Sequence, residues 1–514
     1  MINKRLIKKF LARKLNRYDW VKRLSSDQLN GALDSFVPKP DFGNLKLWNH
    51  QKACLLILNE LQRFMLYIDM GGGKTLLTLM LLKYRKQCGD KIKAIVFVPY
   101  ITSVATWIDE TEKHTPELKC VPLLGSTAQN LQALNSEGDL FVICYQSAVA
   151  MVSKSQTTKK GKSKWNFEAK EIREYFSNFN MLVCDEIHRC KSASSLSYRM
   201  CRAISAQCDW VLGLTGTPFG RDLIDLWPQF YLIDFGETLG PTLGFYKEAF
   251  FIQKKNYWGG FDFKFDKKLM PTLTRTIKNN SISYSIDEFY DMPPKEYVPK
   301  YLPLTDDSKG YVIDAMTKMK FAQKGGDYRE VESNYLKLRQ LSSGFMTLRG
   351  EDDDKIHLSF EDNPKLDALE EIIDAMPHGR KIVIFHHFIH TNYLISERLK
   401  KMKVKHARIW SGQRKPLDEL RKFQNDPKYT TLVINSKSGS SSLNLQNANY
   451  MVFFEQPDSP IDRQQAERRC WRPGQQNRLY IYDFLVKGTA DVRLHHANKA
   501  GESLLKQLLK GDEL

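Results

Sequence analysis

The sequence predicts an α/β protein: two tandem doubly wound lobes, each on a parallel sheet, with a helical insertion between them. Three observations lead there. The 514 residues, 42% hydrophobic, exceed what one core usually organises and suggest about three domains. Short, wholly apolar runs alternate with helical patterns twice along the chain, as strands buried on both faces of a parallel sheet do. Finally, a Gly-rich turn and an adjacent pair of acids each follow one of those runs, at the strand ends where open α/β sheets bind ligands.

Residues 1–44 read as a basic N-terminal extension. Residues 1–24 carry nine Lys or Arg and one acid, Asp19, with Leu6, Phe10 and Leu15 at helical spacing. Such a segment suits a DNA-contacting arm, a membrane-surface helix or a presequence, or simply a charged helix packed on the lobe behind it.

The first lobe is expected over residues 45–232, with strands at Phe64–Ile68, Ala94–Val98, Leu140–Cys144, Met181–Cys184 and Trp210–Leu214. Within it, residues 154–170 hold six lysines and one acid among Ser, Thr and Gly, the composition of a mobile basic loop. The stretch 233–360 reads as an interlobe insertion, with helical character over 311–342 and an exposed loop at Gly350–Asp354. The second lobe, 361–514, repeats the pattern at Lys381–Phe385, Ala407–Trp410, Thr431–Ile434, Tyr450–Phe454 and Leu479–Phe484.

Three segments carry chemistry. After the first strand comes Met70-Gly71-Gly72-Gly73-Lys74-Thr75, then a helical run. Glycines let backbone N–H groups approach phosphate oxygens, and the helix N-terminus adds its positive end. Lys74 is expected on the β- and γ-phosphates and Thr75 on Mg²⁺. The strict fingerprint wants Gly where Ile68 stands. About 110 residues on, Asp185-Glu186-Ile187-His188 closes a buried strand. Asp185 suits Mg²⁺, and Glu186 suits orienting and deprotonating the attacking water. His188 is poised to relay nucleotide state to the turn Leu214–Pro218. In the second lobe, Arg469 and Arg472 are three apart, on one face if a helical turn holds both. Always charged and fork-shaped, they suit a γ-phosphate.

The composition points to a polyanion partner, with 77 Lys and Arg against 59 acids and a formal charge of +18. Nine cysteines, none at C-x-x-C spacing, read as reduced thiols and argue for a cytoplasmic or nuclear setting. No apolar run reaches the roughly 18 residues of a membrane span. His386, His387 and His390 follow a strand but lack a fourth ligand at metal spacing, so packing or DNA contact is expected of them.

Taken in order, these residues resemble the Swi/Snf-type remodelling ATPases of helicase superfamily two, over roughly 45–495. Asp185–Ser192 resembles that family's acidic box. Leu214-Thr215-Gly216-Thr217-Pro218 with Leu226-Trp227 is similar to its third motif, and Trp107 with Glu110 to its Trp-x-x-Glu. Leu47-Trp48-Asn49-His50-Gln51 resembles the glutamine motif, and Met292-Pro293-Pro294-Lys295 the interlobe Pro-Pro-Lys. Gln465–Gln475 is similar to the sixth motif, and Val486-Lys487-Gly488-Thr489 to the closing segment. Departures stand at Ile68-Asp69, Gly220-Arg221 and Arg468. The compact form resembles phage, viral or bacterial members.

The resemblance implies two RecA-like lobes with ATP and Mg²⁺ between them, Gln51 reading adenine, Gln465 joining the nucleotide site, and Arg469 and Arg472 completing it. It further implies backbone contacts to nucleic acid near Ser103, Lys191 and Ser436-Lys437-Ser438-Gly439. The expected function is ATP-driven movement along duplex or branched DNA. Alternatives are a strand-separating DNA or RNA helicase and a non-hydrolysing nucleic-acid-binding scaffold.

Overall fold

The structure, a computed structural model, describes residues 4–13, 18–157, 163–219, 222–255, 261–349, 355–410, 413, 416–436 and 443–510. Residues 292–502 form one compact unit, and the rest of the described chain forms the other.

In the first unit the strands are β1 (Arg63–Ile68), β2 (Ala94–Val98), β3 (Cys120–Pro122) and β4 (Leu140–Cys144), then a hairpin of β5 (Lys154–Thr157) and β6 (Ser163–Asn166). After these come β7 (Met181–Asp185), β8 (Trp210–Leu214), a second hairpin of β9 (Phe251–Lys255) and β10 (Phe261–Phe265), and β11 (Ser281–Tyr284). Seven of them form one sheet in the order β11-β1-β8-β7-β2-β4-β3, every pair parallel. Its strands are apolar at successive positions because both faces are covered. Met65, Tyr67, Ile95, Phe97 and Leu182 enter one core, while Phe64, Leu66, Ile68, Val96 and Val183 enter the other.

The second unit contains β12 (Lys295–Leu302), a hairpin of β13 (Phe345–Arg349) and β14 (Lys355–Ser359), then β15 (Ile382–His386), β16 (His406–Ile409), β17 (Thr431–Asn435), β18 (Tyr450–Phe453) and β19 (Leu479–Val486). Its six-stranded sheet runs β12-β19-β18-β15-β17-β16, again parallel throughout. Helices Asp306–Gly325 and Tyr328–Leu341 close a small core of their own around Val312, Met319 and Leu338.

The ten expected strands are present, with bounds shifted by a residue or two. The middle stretch differs from the expectation of a separate insertion over 233–360: the unit boundary falls inside it, at Asp291/Met292. Its residues supply an edge strand to each sheet, β11 beside β1 and β12 beside β19. Edge strands need only one buried flank, so β11 is short and half polar, and β12 alternates and tolerates Pro299. The basic stretch 154–170 was expected to be a loop; of its described part, 154–157 and 163–166 pair as the hairpin β5–β6, and Ala169 begins a helix. Gly350–Asp354 and Gly220-Arg221 lie outside the described residues. Among those described, no helix is long and apolar enough to cross a membrane.

Candidate active site

Because β1, β8 and β7 are neighbours and parallel, their C-terminal ends lie side by side. Leu66 pairs with Leu214, and Leu214 with Asp185. The topology therefore brings together three segments far apart in sequence: the glycine turn, the Thr215–Pro218 turn and the acidic pair.

The glycine turn joins β1 to the helix Lys74–Gln87. Gly73 caps that helix in the left-handed region (φ 81°), and a side chain there would strike Gln51 Nε2. The first-turn amides of the helix have no carbonyl four residues back and point toward whatever fills the turn. Lys74 Nζ donates to the Ile68 carbonyl at 2.8 Å and to that of Asp69 at 3.5 Å. Gly71 is exposed, Gly72 is buried, and Met70 and Thr75 are half-buried. Asp69, one of the departures from the family pattern, accepts from the Ile286 amide at 3.0 Å and so ties the turn to the segment after β11.

Gln51 and His50 brace the turn from below. Gln51 accepts from the Trp48 amide at 2.9 Å and donates to the Gly72 carbonyl at 3.3 Å, so both ends of its carboxamide engage backbone. His50 Nε2 meets the same carbonyl at 2.8 Å, and burial keeps the ring below its ordinary pKa. His50 also stacks on Phe289 at 4.3 Å, beside a cavity of about 1030 Å³ lined by Trp48, Lys52, Phe289 and Tyr290 among others. Sequence reasoning missed this aromatic wall. Phe289 and Tyr290 sit in a polar stretch with no periodicity, and only the pairing of β11 with β1 delivers them here.

At the end of β7, Trp107 Nε1 donates to Asp185 Oδ2 at 3.2 Å. Burial, followed by the charge of Glu186, lifts the Asp185 carboxyl above its usual range. Burial pushes Glu186 the same way, but His188, the Lys74 ammonium and Thr215 outweigh it and hold the group below its usual value. Thr215 Oγ1 donates to Glu186 Oε2 at 2.7 Å, His188 Nδ1 lies 3.2 Å from the same oxygen, and the Thr217 amide donates to Thr215 Oγ1 at 3.0 Å. His188, Glu186 and Thr215 thus form a buried triangle linking the acidic pair to the neighbouring turn.

In the second unit the arginine segment lies on the helix Pro460–Cys470 and the turn after it. The expectation that Arg469 and Arg472 share a helical turn is not met. The chain leaves the helix at Trp471 (φ −94°, ψ 83°), and Pro473 disfavours helical backbone at Arg472. Arg469 and Gln465 are buried. The helix is pinned by charge: Glu467 takes Arg463 Nε at 2.7 Å, Tyr297 Oη at 2.8 Å and Lys295 Nζ at 3.1 Å. Burial opposes ionisation of Glu467, but Lys295 and Arg463 overcome it and bring its pKa to about 2. Trp471 Nε1 donates to the Pro293 carbonyl at 2.8 Å, and Lys295 lies over the Trp471 ring at 4.3 Å. The Pro-Pro-Lys segment and the arginine segment are therefore one packed assembly.

Of the residues expected near nucleic acid, Lys191 is exposed, whereas Ser103 and Ser436 are buried. Lys437, Ser438 and Gly439 lie outside the described residues. His386 donates from Nδ1 to the Phe388 carbonyl (3.0 Å) and accepts at Nε2 from Asn392 (2.9 Å). His390 hydrogen-bonds Ser359 at 2.9 Å and stacks on His357 at 4.5 Å.

Comparison with known proteins places two domains on this chain. An SNF2-related domain matches residues 50–337, and a helicase conserved C-terminal domain matches residues 364–474. The chain is 24% identical over 452 residues to the uncharacterized ATP-dependent helicase MG018 of Mycoplasma genitalium, covering 86% of this chain and 40% of that protein. It is 23% identical over 503 residues to protein p41 of Acyrthosiphon pisum secondary endosymbiont phage 1, covering 93% of this chain and the whole of p41. It is also 23% identical over 498 residues to the DNA repair and recombination protein RAD54-like of Drosophila pseudoobscura pseudoobscura, covering 87% of this chain and 60% of that protein. The chain thus spans well under two thirds of several relatives and all of the phage protein.

Proposed function

The chain belongs to the SNF2-related family, and on that premise we propose that it hydrolyses ATP and couples the cycle to movement along duplex or branched DNA, remodelling DNA structures or protein–DNA complexes. One observation carries this reading: parallel neighbours β1, β8 and β7 gather Lys74, Thr215, Asp185 and Glu186 at the C-terminal end of the first sheet.

In this mechanism Lys74 exchanges the Ile68 and Asp69 carbonyls for phosphate oxygens, and the amides of the glycine turn cradle the rest. Thr75 and Asp185, both hard oxygen donors, would hold Mg²⁺, which when bound neutralises phosphate charge. Glu186, kept ionised by its partners, orients the attacking water and accepts its proton. Arg469 and Arg472 offset charge on the transferring phosphoryl group, a contribution typically worth about 10³–10⁵ in rate. Gln51 and Gln465 complete the nucleotide site, with Gln51 reading adenine. Lys191 and the segment around Ser103 and Ser436–Gly439 contact the nucleic-acid backbone.

The test is ATP turnover with duplex, single-stranded and branched DNA and with RNA, alongside Glu186→Gln. Duplex or branched DNA should stimulate most, and the variant should lose about 10²-fold or more. Stronger stimulation by single strands, with unwinding of a fork, would instead mark a strand-separating helicase. Turnover indifferent to every nucleic acid, or undiminished in Glu186→Gln, would end the proposal.

A further inference from the structure

The positive charge is not spread evenly. Residues 4–13 carry five Lys or Arg and no acid, and residues 243–278 carry eight against three. Each segment is net +5, so about a tenth of the chain holds +10 of its +18. The fold brings the two together on one core of the first unit. Ile7 is buried there, Phe10 meets Phe245 edge to face at 5.0 Å, and Arg13 Nη2 donates to the Thr238 carbonyl at 2.9 Å. Phe245 belongs to the helix Leu243–Phe250, which runs directly into β9.

The hairpin β9–β10 is a two-stranded ribbon that joins neither large sheet. Cross-strand partners share a face, which sorts its residues. Phe251 opposite Phe265 and Gln253 opposite Phe263 share one side, whose base packs on the core: Phe251 is buried, Phe265 packs on it at 5.7 Å and Lys247 covers Phe263 at 4.5 Å, while Gln253 is exposed. Ile252 opposite Lys264 and Lys254 opposite Asp262 occupy the other side, all exposed. Lys255 and Phe261 end the described ribbon, with Phe261 49% exposed. Lys267 and Lys268 are exposed at its base.

We propose that this ribbon, with the helix Lys4–Leu11 packed on the same core, is a second nucleic-acid surface, built from residues outside the ATPase segments, that grips the phosphate backbone of a duplex. A two-stranded ribbon fits a major groove, and lysines along its length reach the flanking phosphates without reading bases. Clustering lysines on an exposed ribbon is electrostatically unfavourable in isolation, and a polyanion relieves that repulsion while releasing its counterions. The proposal rests on the nucleic-acid part of the functional reading and not on its ATPase part.

The experiment uses the full chain and a labelled duplex of arbitrary sequence, titrated at several salt concentrations. It compares wild type with the combined variant Lys254→Gln, Lys255→Gln, Lys264→Gln, Lys267→Gln and Lys268→Gln. These side chains are exposed, and thermal melting verifies that the fold persists. The plot of log affinity against log salt should flatten by about 2 to 4, and affinity at low salt should fall about tenfold or more. ATP turnover at saturating duplex should keep its kcat. An unchanged slope and affinity overturns the surface, as does a variant that merely aggregates through its ribbon edges while binding duplex normally. Loss of binding to anionic lipid vesicles with duplex binding intact overturns it too, assigning the lysines to a membrane. If wild type binds no duplex at all, the tracking mechanism itself falls; if wild type binds and hydrolyses but the variant matches it, only this surface does.

Discussion

Glu186 adopts φ 52° and ψ 56°, a left-handed conformation that non-glycine residues rarely hold. Its carboxylate is kept in place by Thr215 and His188, and Thr215 in turn serves the Thr217 amide. Replacing Thr215 by Val keeps the shape and removes the hydroxyl, leaving the amide without its acceptor. Stability should fall by about 1–3 kcal/mol in denaturant titration, and turnover should fall with it. A second buried group provides a pH test. Burial lowers the pKa of His386 to about 4, against 6.5 for the free side chain. The unfolded chain therefore binds a proton in this window that the folded chain refuses. The stability that the neutral ring contributes is intact above pH 6.5 and is lost as pH falls toward 4, by about 3 kcal/mol. In His386→Gln that slope should flatten; equal slopes in the two proteins would refute the assignment.

At the scale of elements, the helix Pro460–Cys470 depends on partners outside itself. Glu467 joins it to Lys295 and Tyr297 on β12, and Trp471 joins its end to Pro293. Lys295→Met leaves a buried carboxylate short of one cation and should cost about 1–3 kcal/mol by thermal melting. Lys295→Arg should restore most of it. Trp471→Phe keeps an aromatic ring for Lys295 but removes the N–H to Pro293 and part of the packed ring, so a loss of about 1–3 kcal/mol is expected. The strands that bear the site were legible because a strand buried on both faces leaves an unbroken apolar signature. β11 and β12 were not. Each pairs on one side alone: β11 alternates over only four residues and β12 is interrupted by Pro299, so neither carries the unbroken apolar run that marks the central strands. Likewise, Arg472 was expected on the helix because spacing alone cannot tell where a helix ends, although Pro473 carried the hint.

For the whole molecule, the boundary at Asp291/Met292 separates units with their own sheets and their own cores. Residues 292–502 expressed alone should give a single cooperative melt and no ATP turnover, since Lys74 and Glu186 lie outside them. A non-cooperative melt would show that their core depends on the first unit. By itself, the sequence determined the two parallel-sheet lobes, the order of the chemical segments and the excess of positive charge, because strand burial, glycine turns and composition are local properties. Tertiary structure alone decided which strands are neighbours, and hence that Thr215 closes on Glu186, that Phe289 reaches His50, and that two basic segments meet beside one ribbon. Those contacts join residues tens to hundreds of positions apart, and strand order, which no local pattern encodes, is what brings them within reach.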